Sequence, residues 1–190
     1  MFDSILQKDK ELSVFLNNLG SEQWDSFWLG ITNQFYWAPL FLFILILIVK
    51  TFGWKRGGVM ILAMILLVTI SDQLTVFIKD NSFRLRPNND PDIMDSLRIS
   101  LREFTNPQSH SFMSGHATTS TFFSLFTIFL LRDKYKQIYF ILLFPAFFAY
   151  SRLYLGVHFP SDVFIGILLG ILLANIYYFF FKKLDKKLFL

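Results

Sequence analysis

Residues Ser26 to Val49 contain no charged side chain, and Lys50 ends the run. About 20 such residues reach across the hydrocarbon core of a bilayer as a helix. Inside that core every backbone N–H and C=O must be bonded within the segment, which leaves helices and closed barrels as the permitted folds. Comparable runs recur at 57–78, interrupted only by Asp72, and at 113–131, 137–151 and 163–181. Five such stretches in one chain predict an all-α, polytopic transmembrane helix bundle of about five spans, with 137–151 the shortest. Composition agrees. The chain is 54% hydrophobic and 17% charged, where soluble domains hold about 45–50% apolar and about 25% charged residues. A length of 190 residues suits one domain covering 1–190. The absence of cysteine excludes disulfides, thiolate chemistry and cysteine-bound metals. No basic patch interleaved with aromatics points to nucleic acid as a partner.

Residues 2–19 have a different pattern. Phe2, Ile5, Leu6, Leu12, Phe15, Leu16 and Leu19 recur at helical spacing with charges between them, and Gly20 stops the run. This predicts an N-terminal amphipathic helix at the membrane interface, although the same spacing serves a helix packed on the bundle. Lys8, Asp9, Lys10 and Glu11 occupy the place of an apolar signal core, so no cleavable signal peptide is expected. Trp24, Trp28 and Trp37 fit an interfacial aromatic belt. Gly166, Gly170 and Ala174 form a small-residue stripe suited to helix packing within the protein.

Charge orients the bundle. Lys50, Lys55 and Arg56, then Arg132, Lys134 and Lys136, then Lys182, Lys183, Lys186 and Lys187 follow alternate spans, opposed only by Asp133 and Asp185. The positive-inside rule makes that side cytoplasmic. Three polar segments then share the outer face: KDNSFRLRP with Lys79, Arg84 and Arg86, SFMSGH ending in His116, and SRLYLGVHFPSD with Arg152, His158 and Asp162.

Their chemistry suits a phosphate. Lys79, Arg86 and Arg152 supply positive donors, and the arginines add fork geometry. Ser114 and Gly115 precede a helix, whose first N–H groups and dipole favour an anion. Of two histidines, one can attack phosphorus while the other protonates the leaving oxygen. Asp162, four residues after His158, can hold that imidazole in the attacking tautomer. The cationic cluster already neutralises a phosphate, so neither a metal nor a cofactor is expected. Taken singly, Lys79 and Arg86 would be interfacial anchors and each histidine structural. Arg84 and His110 are assigned no role.

Lys79, Arg86 and Pro87 stand at the spacing Lys, six residues, Arg-Pro. Ser114, Gly115 and His116 give Ser-Gly-His, and Ser151, Arg152, His158 and Asp162 give Ser-Arg, five residues, His, three residues, Asp. In this order the three motifs resemble the type 2 phosphatidic acid phosphatases, relatives of the vanadium haloperoxidases. Met113 stands where that family usually has proline. The resemblance implies that His158 is the nucleophile, forming a phosphohistidine, Asp162 its orienting partner and His116 the general acid. It implies that Lys79, Arg86, Arg152, Ser114 and Gly115 bind the phosphoryl oxygens.

The expected protein is therefore a lipid phosphatase, metal-independent, integral to a bacterial inner membrane with its site facing the exterior or periplasm. Its partners would be a lipid phosphate substrate and the membrane lipids; oligomeric state is not legible. The outer loop, Asp80 to Glu103, mixes Asp80, Asp90, Asp92, Asp95 and Glu103 with Arg84, Arg86, Arg98 and Arg102. That mixture offers little attraction to a second, distant phosphate. It ranks the substrates as undecaprenyl diphosphate, phosphatidylglycerol phosphate, lipid A 1-phosphate and phosphatidic acid. A lipid phosphotransferase of the same fold and a non-catalytic lipid-binding or transport protein are the alternatives.

Overall fold

The computed structural model of the protein describes residues 2–98 and 110–189. Among these residues the chain is helical, with one isolated antiparallel bridge between Leu85 and His110. The α-helices are α1 (Phe2–Asn18), α2 (Glu22–Thr32), α3 (Ala38–Asp80), α4 (Gly115–Leu131), α5 (Leu143–Tyr154) and α6 (Pro160–Phe189). Short 3₁₀ turns lie at Gln34–Trp37, Pro87–Asn89, Met94–Ser96 and Lys136–Leu142. The all-α class is as the apolar runs predict. Arg102 and Glu103, counted above in the outer loop, lie outside the described residues.

α3 has 43 residues, about 64 Å if straight, twice the thickness of a hydrocarbon core. It is not straight. Gly53 has φ 74° and ψ 173°, a conformation glycine takes without the steric penalty of a Cβ. Beyond it the chain doubles back: a Cβ built on Gly57 would lie 3.2 Å from the Cα of Val49. A straight helix would hold those residues about 12 Å apart along the axis. Residues 38–52 and 54–80 are therefore antiparallel arms of a hairpin, with Lys50, Lys55 and Arg56 around its turn.

The apolar run 26–49 is divided at its other end. Asn33 leaves the helical region, at φ −84° and ψ 116°, and its side chain accepts from the Phe35 N–H at 3.0 Å. Pro39 lies in the first turn of α3, where its missing N–H costs nothing. Residues 26–32, which hydropathy joins to the first span, belong instead to α2. An apolar run reports environment, whereas the break depends on one cap and one proline.

α4 is the central helix. Most of its residues are buried, and α3, α5 and α6 pack around it. α6 runs parallel to it at close range: a Cβ on Gly166 would sit 2.7 Å from the Ser114 carbonyl oxygen, and one on Gly170 2.7 Å from that of Thr118. With the buried Ala174, these are the stripe that the sequence places in internal packing, and a larger residue would force the helices apart. Ser71 Oγ meets Thr119 Oγ1 at 2.7 Å across α3 and α4, and Tyr177 donates to the Ala63 carbonyl at 2.8 Å.

The surface is far more apolar than that of a soluble bundle, and the interior holds hydroxyls beside its apolar core. Ser71, Thr75, Thr118, Ser120, Ser124 and Thr127 are buried, while Leu62, Ile65, Leu66, Ile70, Leu172, Phe179 and Phe180 are exposed. Several inner hydroxyls donate to their own helix, as Ser120 to the His116 carbonyl at 2.6 Å and Thr127 to the Phe123 carbonyl at 2.8 Å. That satisfies them without water. A surface this apolar matches lipid rather than solvent. The helical stretches Gln34–Asp80 and Pro160–Phe189 are each long and apolar enough to cross a membrane.

α1 packs by its polar side. Asp9, Ser13 and Asn17 are buried against the bundle, and Asn17 Nδ2 donates to the Tyr154 carbonyl at 2.7 Å. Of the apolar stripe, Ile5, Leu12, Phe15 and Leu19 are exposed; the side chain of Phe2 is outside the described set. At the opposite end of the bundle, Arg56 Nη2 reaches Asp185 Oδ2 at 2.5 Å and Thr51 bonds Tyr135 at 3.2 Å.

Candidate active site

The antiparallel hairpin and the parallel pairing of α4 with α6 bring the end of α3 and the starts of α4 and α6 to one end of the bundle. The connecting backbone is pinned there. Ser111 N–H donates to the Arg84 carbonyl at 2.8 Å, and Asn88 N–H to the Gly156 carbonyl at 3.0 Å. Gly156 turns the chain after α5 at φ 63°, a left-handed conformation suited to glycine. His158 N–H then donates back to the Arg152 carbonyl at 3.3 Å. Loop, helix end and helix start are thus locked by main-chain bonds rather than by side chains alone.

Around this point the basic groups converge. Lys79 lies within electrostatic range of Arg86 and Arg152, and its Nζ is 3.5 Å from where a Gly115 Cβ would be. Arg86 Nη1 donates to the Val157 carbonyl at 3.2 Å, and Arg152 Nη1 to Thr32 Oγ1 at 2.5 Å. Arg152 Nε is buried with no acceptor among the described residues. Unpaired buried donors are costly, and an anion bound here would satisfy this one.

Ser114 N-caps α4, its Oγ accepting from the Ala117 N–H at 3.4 Å. Its own N–H is donated to the Asp162 carbonyl at 3.2 Å. Among the described residues, the helix-start donors left for an anion are those of Gly115 and His116. The Ser114 N–H, placed by the sequence beside Gly115 as an anion donor, instead ties α4 to α6.

The two histidines differ in setting. His116 stacks on Phe148, with centroids 4.5 Å apart and planes at 25°, and its ring bonds the Thr32 carbonyl. His158 is 1% exposed, in the loop before α6. Burial, with Arg152 and Arg86 nearby, pushes its pKa down to about 3 against the opposing pull of Asp162. Its imidazole is neutral at ordinary pH and keeps a lone pair for attack. Nδ1 stands 3.6 Å from Asp162 Oδ2, beyond hydrogen-bond length.

Asp162 is completely buried and held by other groups. Oδ1 accepts from Arg84 Nη1 at 2.7 Å, while Oδ2 accepts from the Phe159 N–H at 2.9 Å and from the Ser111 hydroxyl. Arg84, to which the sequence assigns no role, is therefore in contact with the site's carboxylate. No spacing in KDNSFRLRP could reveal this, because the contact depends on the bridge between Leu85 and His110. Thr32, which reaches both Arg152 and His116, also lies outside every motif. His110 bonds the Lys79 carbonyl through Nδ1 at 3.0 Å, a loop-holding contact. Among the described residues no three His, Cys, Asp or Glu side chains gather as a metal-binding group.

Residues 57–186 match the PAP2 superfamily model. The chain is 31% identical over 189 residues to the lipid A 4'-phosphatase of Bacteroides thetaiotaomicron, covering 99% of this chain and 83% of that protein. It is 29% identical over 175 residues to the lipid A 4'-phosphatase of Porphyromonas gingivalis, covering 92% and 73%. In fold it resembles the crystal structure of a transmembrane PAP2 type phosphatidylglycerolphosphate phosphatase from Bacillus subtilis, with TM-score 0.72 and 23% identity over 95% of this chain and 87% of that one. The structure of Aquifex aeolicus LpxE aligns with TM-score 0.58 and 24% identity, covering 88% and 93%. The matched segment holds all three motifs and the elements that bring them together: the chain belongs to the PAP2 superfamily, as a membrane lipid phosphatase.

Proposed function

We propose that the protein hydrolyses a lipid phosphate monoester in two steps through a phosphohistidine. His158 attacks phosphorus, and the lipid hydroxyl leaves with a proton from His116; water then resolves the phosphohistidine and inorganic phosphate departs. Lys79, Arg86 and Arg152, with the Gly115 and His116 N–H groups, take up charge on the phosphoryl oxygens as it builds. The observation that carries this reading is the meeting of two histidines and three basic side chains at one end of an otherwise apolar bundle. An apolar cavity of about 290 Å³, lined among others by Phe41, Val68, Phe123 and Phe148, adjoins the ring that stacks on His116. It offers the lipid chain a place beside its headgroup.

For the substrate we favour the 4'-phosphate of lipid A, since the two curated relatives carry that activity in their names across most of their length. This moves lipid A above undecaprenyl diphosphate, which the charge of the outer loop alone places first. Phosphate release by detergent-solubilised protein should be compared as kcat/KM across lipid A, undecaprenyl diphosphate, phosphatidylglycerol phosphate and phosphatidic acid. We expect lipid A to lead by tenfold or more, about 1.4 kcal/mol of transition-state binding, with loss of the 4'-phosphate seen by mass spectrometry. A tenfold lead for undecaprenyl diphosphate would restore the loop-based order.

The same reading has five crossings, the site at the outer leaflet of a bacterial inner membrane, and α1 lying in the interface with Ile5, Leu12, Phe15 and Leu19 toward lipid. A reporter fused after Leu190 should read cytoplasmic, and a tag near Asn89 should be reached by an impermeant reagent from outside. Finding both on one side would remove the five-crossing topology.

A further inference from the structure

We propose that Arg84 and Asp9 are positioning residues for the His158–Asp162 pair, so that α1 is a working part of the active site rather than only a surface attachment. This rests on the reading of His158 as the nucleophile. Neither residue belongs to a motif, and neither is assigned a contact with the phosphate.

The argument starts from what holds Asp162. Its two oxygens accept from Arg84, Ser111 and the Phe159 N–H, which fixes the rotation of the carboxylate. His158 Nδ1, 3.6 Å from Oδ2, has no hydrogen-bond partner among the described residues although it is buried. The pair therefore closes by a small turn or shift of the carboxylate, and the groups gripping Asp162 decide how far it goes. Ser111 and Phe159 act on the oxygen facing His158. Arg84 alone among these three acts on the other oxygen, so its position sets the carboxylate's tilt.

Arg84 is itself held in place. Nη2 reaches Asp9 Oδ2 at 2.5 Å, Nη1 also bonds Ser161 Oγ at 2.7 Å, and the guanidinium lies 4.0 Å from the Phe159 ring centroid. Asp9 further accepts from the Ser161 N–H at 3.0 Å and from the Ser161 hydroxyl at 2.5 Å. Asp9, Arg84 and Ser161 thus form a closed ring of bonds, to which Asp162 is joined through Arg84, linking α1, the loop after α3 and the first turn of α6. A guanidinium gripped at both nitrogens keeps its orientation, whereas one gripped at a single nitrogen can pivot. Without Asp9, Arg84 keeps its bond to Asp162 but loses the anchor that aims it. α1 docks through this carboxylate, assisted by Lys10 with Asp90 and Asp92.

The test separates positioning from simple stabilisation. Steady-state phosphate release is measured per folded molecule, using whichever of the four lipids above the unmodified protein turns over best. Misplacing a reacting group by about 1 Å can cost about 10²-fold, so Arg84→Gln should lose about that factor in kcat, with KM and vanadate inhibition within about threefold. Asp9→Asn should lose about tenfold in kcat, and Arg84→Lys should recover part of the Arg84→Gln loss. Because Asp9 acts through Arg84, the double variant should be no slower than Arg84→Gln alone, the non-additivity expected of one network. If Arg84→Gln does not fold, Asp9→Asn and Arg84→Lys carry the comparison. A lowered Tm with unchanged kcat in both Asp9→Asn and the Arg84 variants, or losses that multiply, would overturn the proposal. If His158→Ala keeps turnover, the underlying nucleophile assignment falls instead, and the two failures are thereby told apart.

Discussion

His158→Ala is expected to leave no measurable phosphate release, the largest effect of any single substitution in this protein. The buried imidazole is neutral, with Nδ1 3.6 Å from the buried Asp162 carboxylate, and it is the side chain proposed here as the covalent acceptor. Lys79, Arg86 and Arg152 hold their charge for phosphate and are poor nucleophiles while protonated. The variant should still bind lipid, because the basic groups and the α4 N-terminus remain. Unmodified protein quenched in alkaline detergent should carry acid-labile, base-stable phosphate on residue 158, absent from the variant. Activity should also survive excess EDTA; loss on chelation, regained with magnesium, would contradict the metal-free mechanism. Retained turnover in His158→Ala would sink the phosphohistidine route altogether.

The second large effect concerns His116. His116→Ala should slow hydrolysis of natural lipids by about 10²–10⁴-fold, the usual contribution of a general acid. The loss should shrink for a substrate with a good leaving group such as a nitrophenolate, which departs without a proton. The geometry supports this division of labour. One ring nitrogen of His116 is engaged by the Thr32 carbonyl and the ring is held flat against Phe148, which leaves the other nitrogen for the leaving oxygen. The diagnostic is the ratio of rates for lipid and nitrophenyl substrates in each protein. An equal loss on both would mean that His116 serves binding or structure rather than proton transfer.

Much of the site is legible because its chemistry is local. His158 and Asp162 are four residues apart, Ser114 and His116 flank a helix start, and Lys79 and Arg86 bracket a span's end. The turn between the first two runs is legible too, because Lys50, Lys55 and Arg56 separate them; that it pivots on Gly53 is shown only by its φ of 74°. The apolar run from Ser26 likewise hides that α2 is separate and brings Thr32 to Arg152 and His116, since hydropathy does not register a single capping asparagine.

The sequence by itself determined the helical class, the sidedness expected from its charges and the residues that carry the three motifs, because each follows from side-chain chemistry within one short segment. The tertiary structure alone decided which groups hold Asp162, which N–H groups at the start of α4 stay open to an anion and which face of α1 is buried. Those outcomes depend on where residues far apart in the chain meet. Arg84 reaches Asp162, and Asp9 reaches Arg84, across sequence separations of 78 and 75 residues. No periodicity or spacing encodes such a meeting; the bond that pins the loop after α3 to Ser111 and the docking of α1 on Ser161 do.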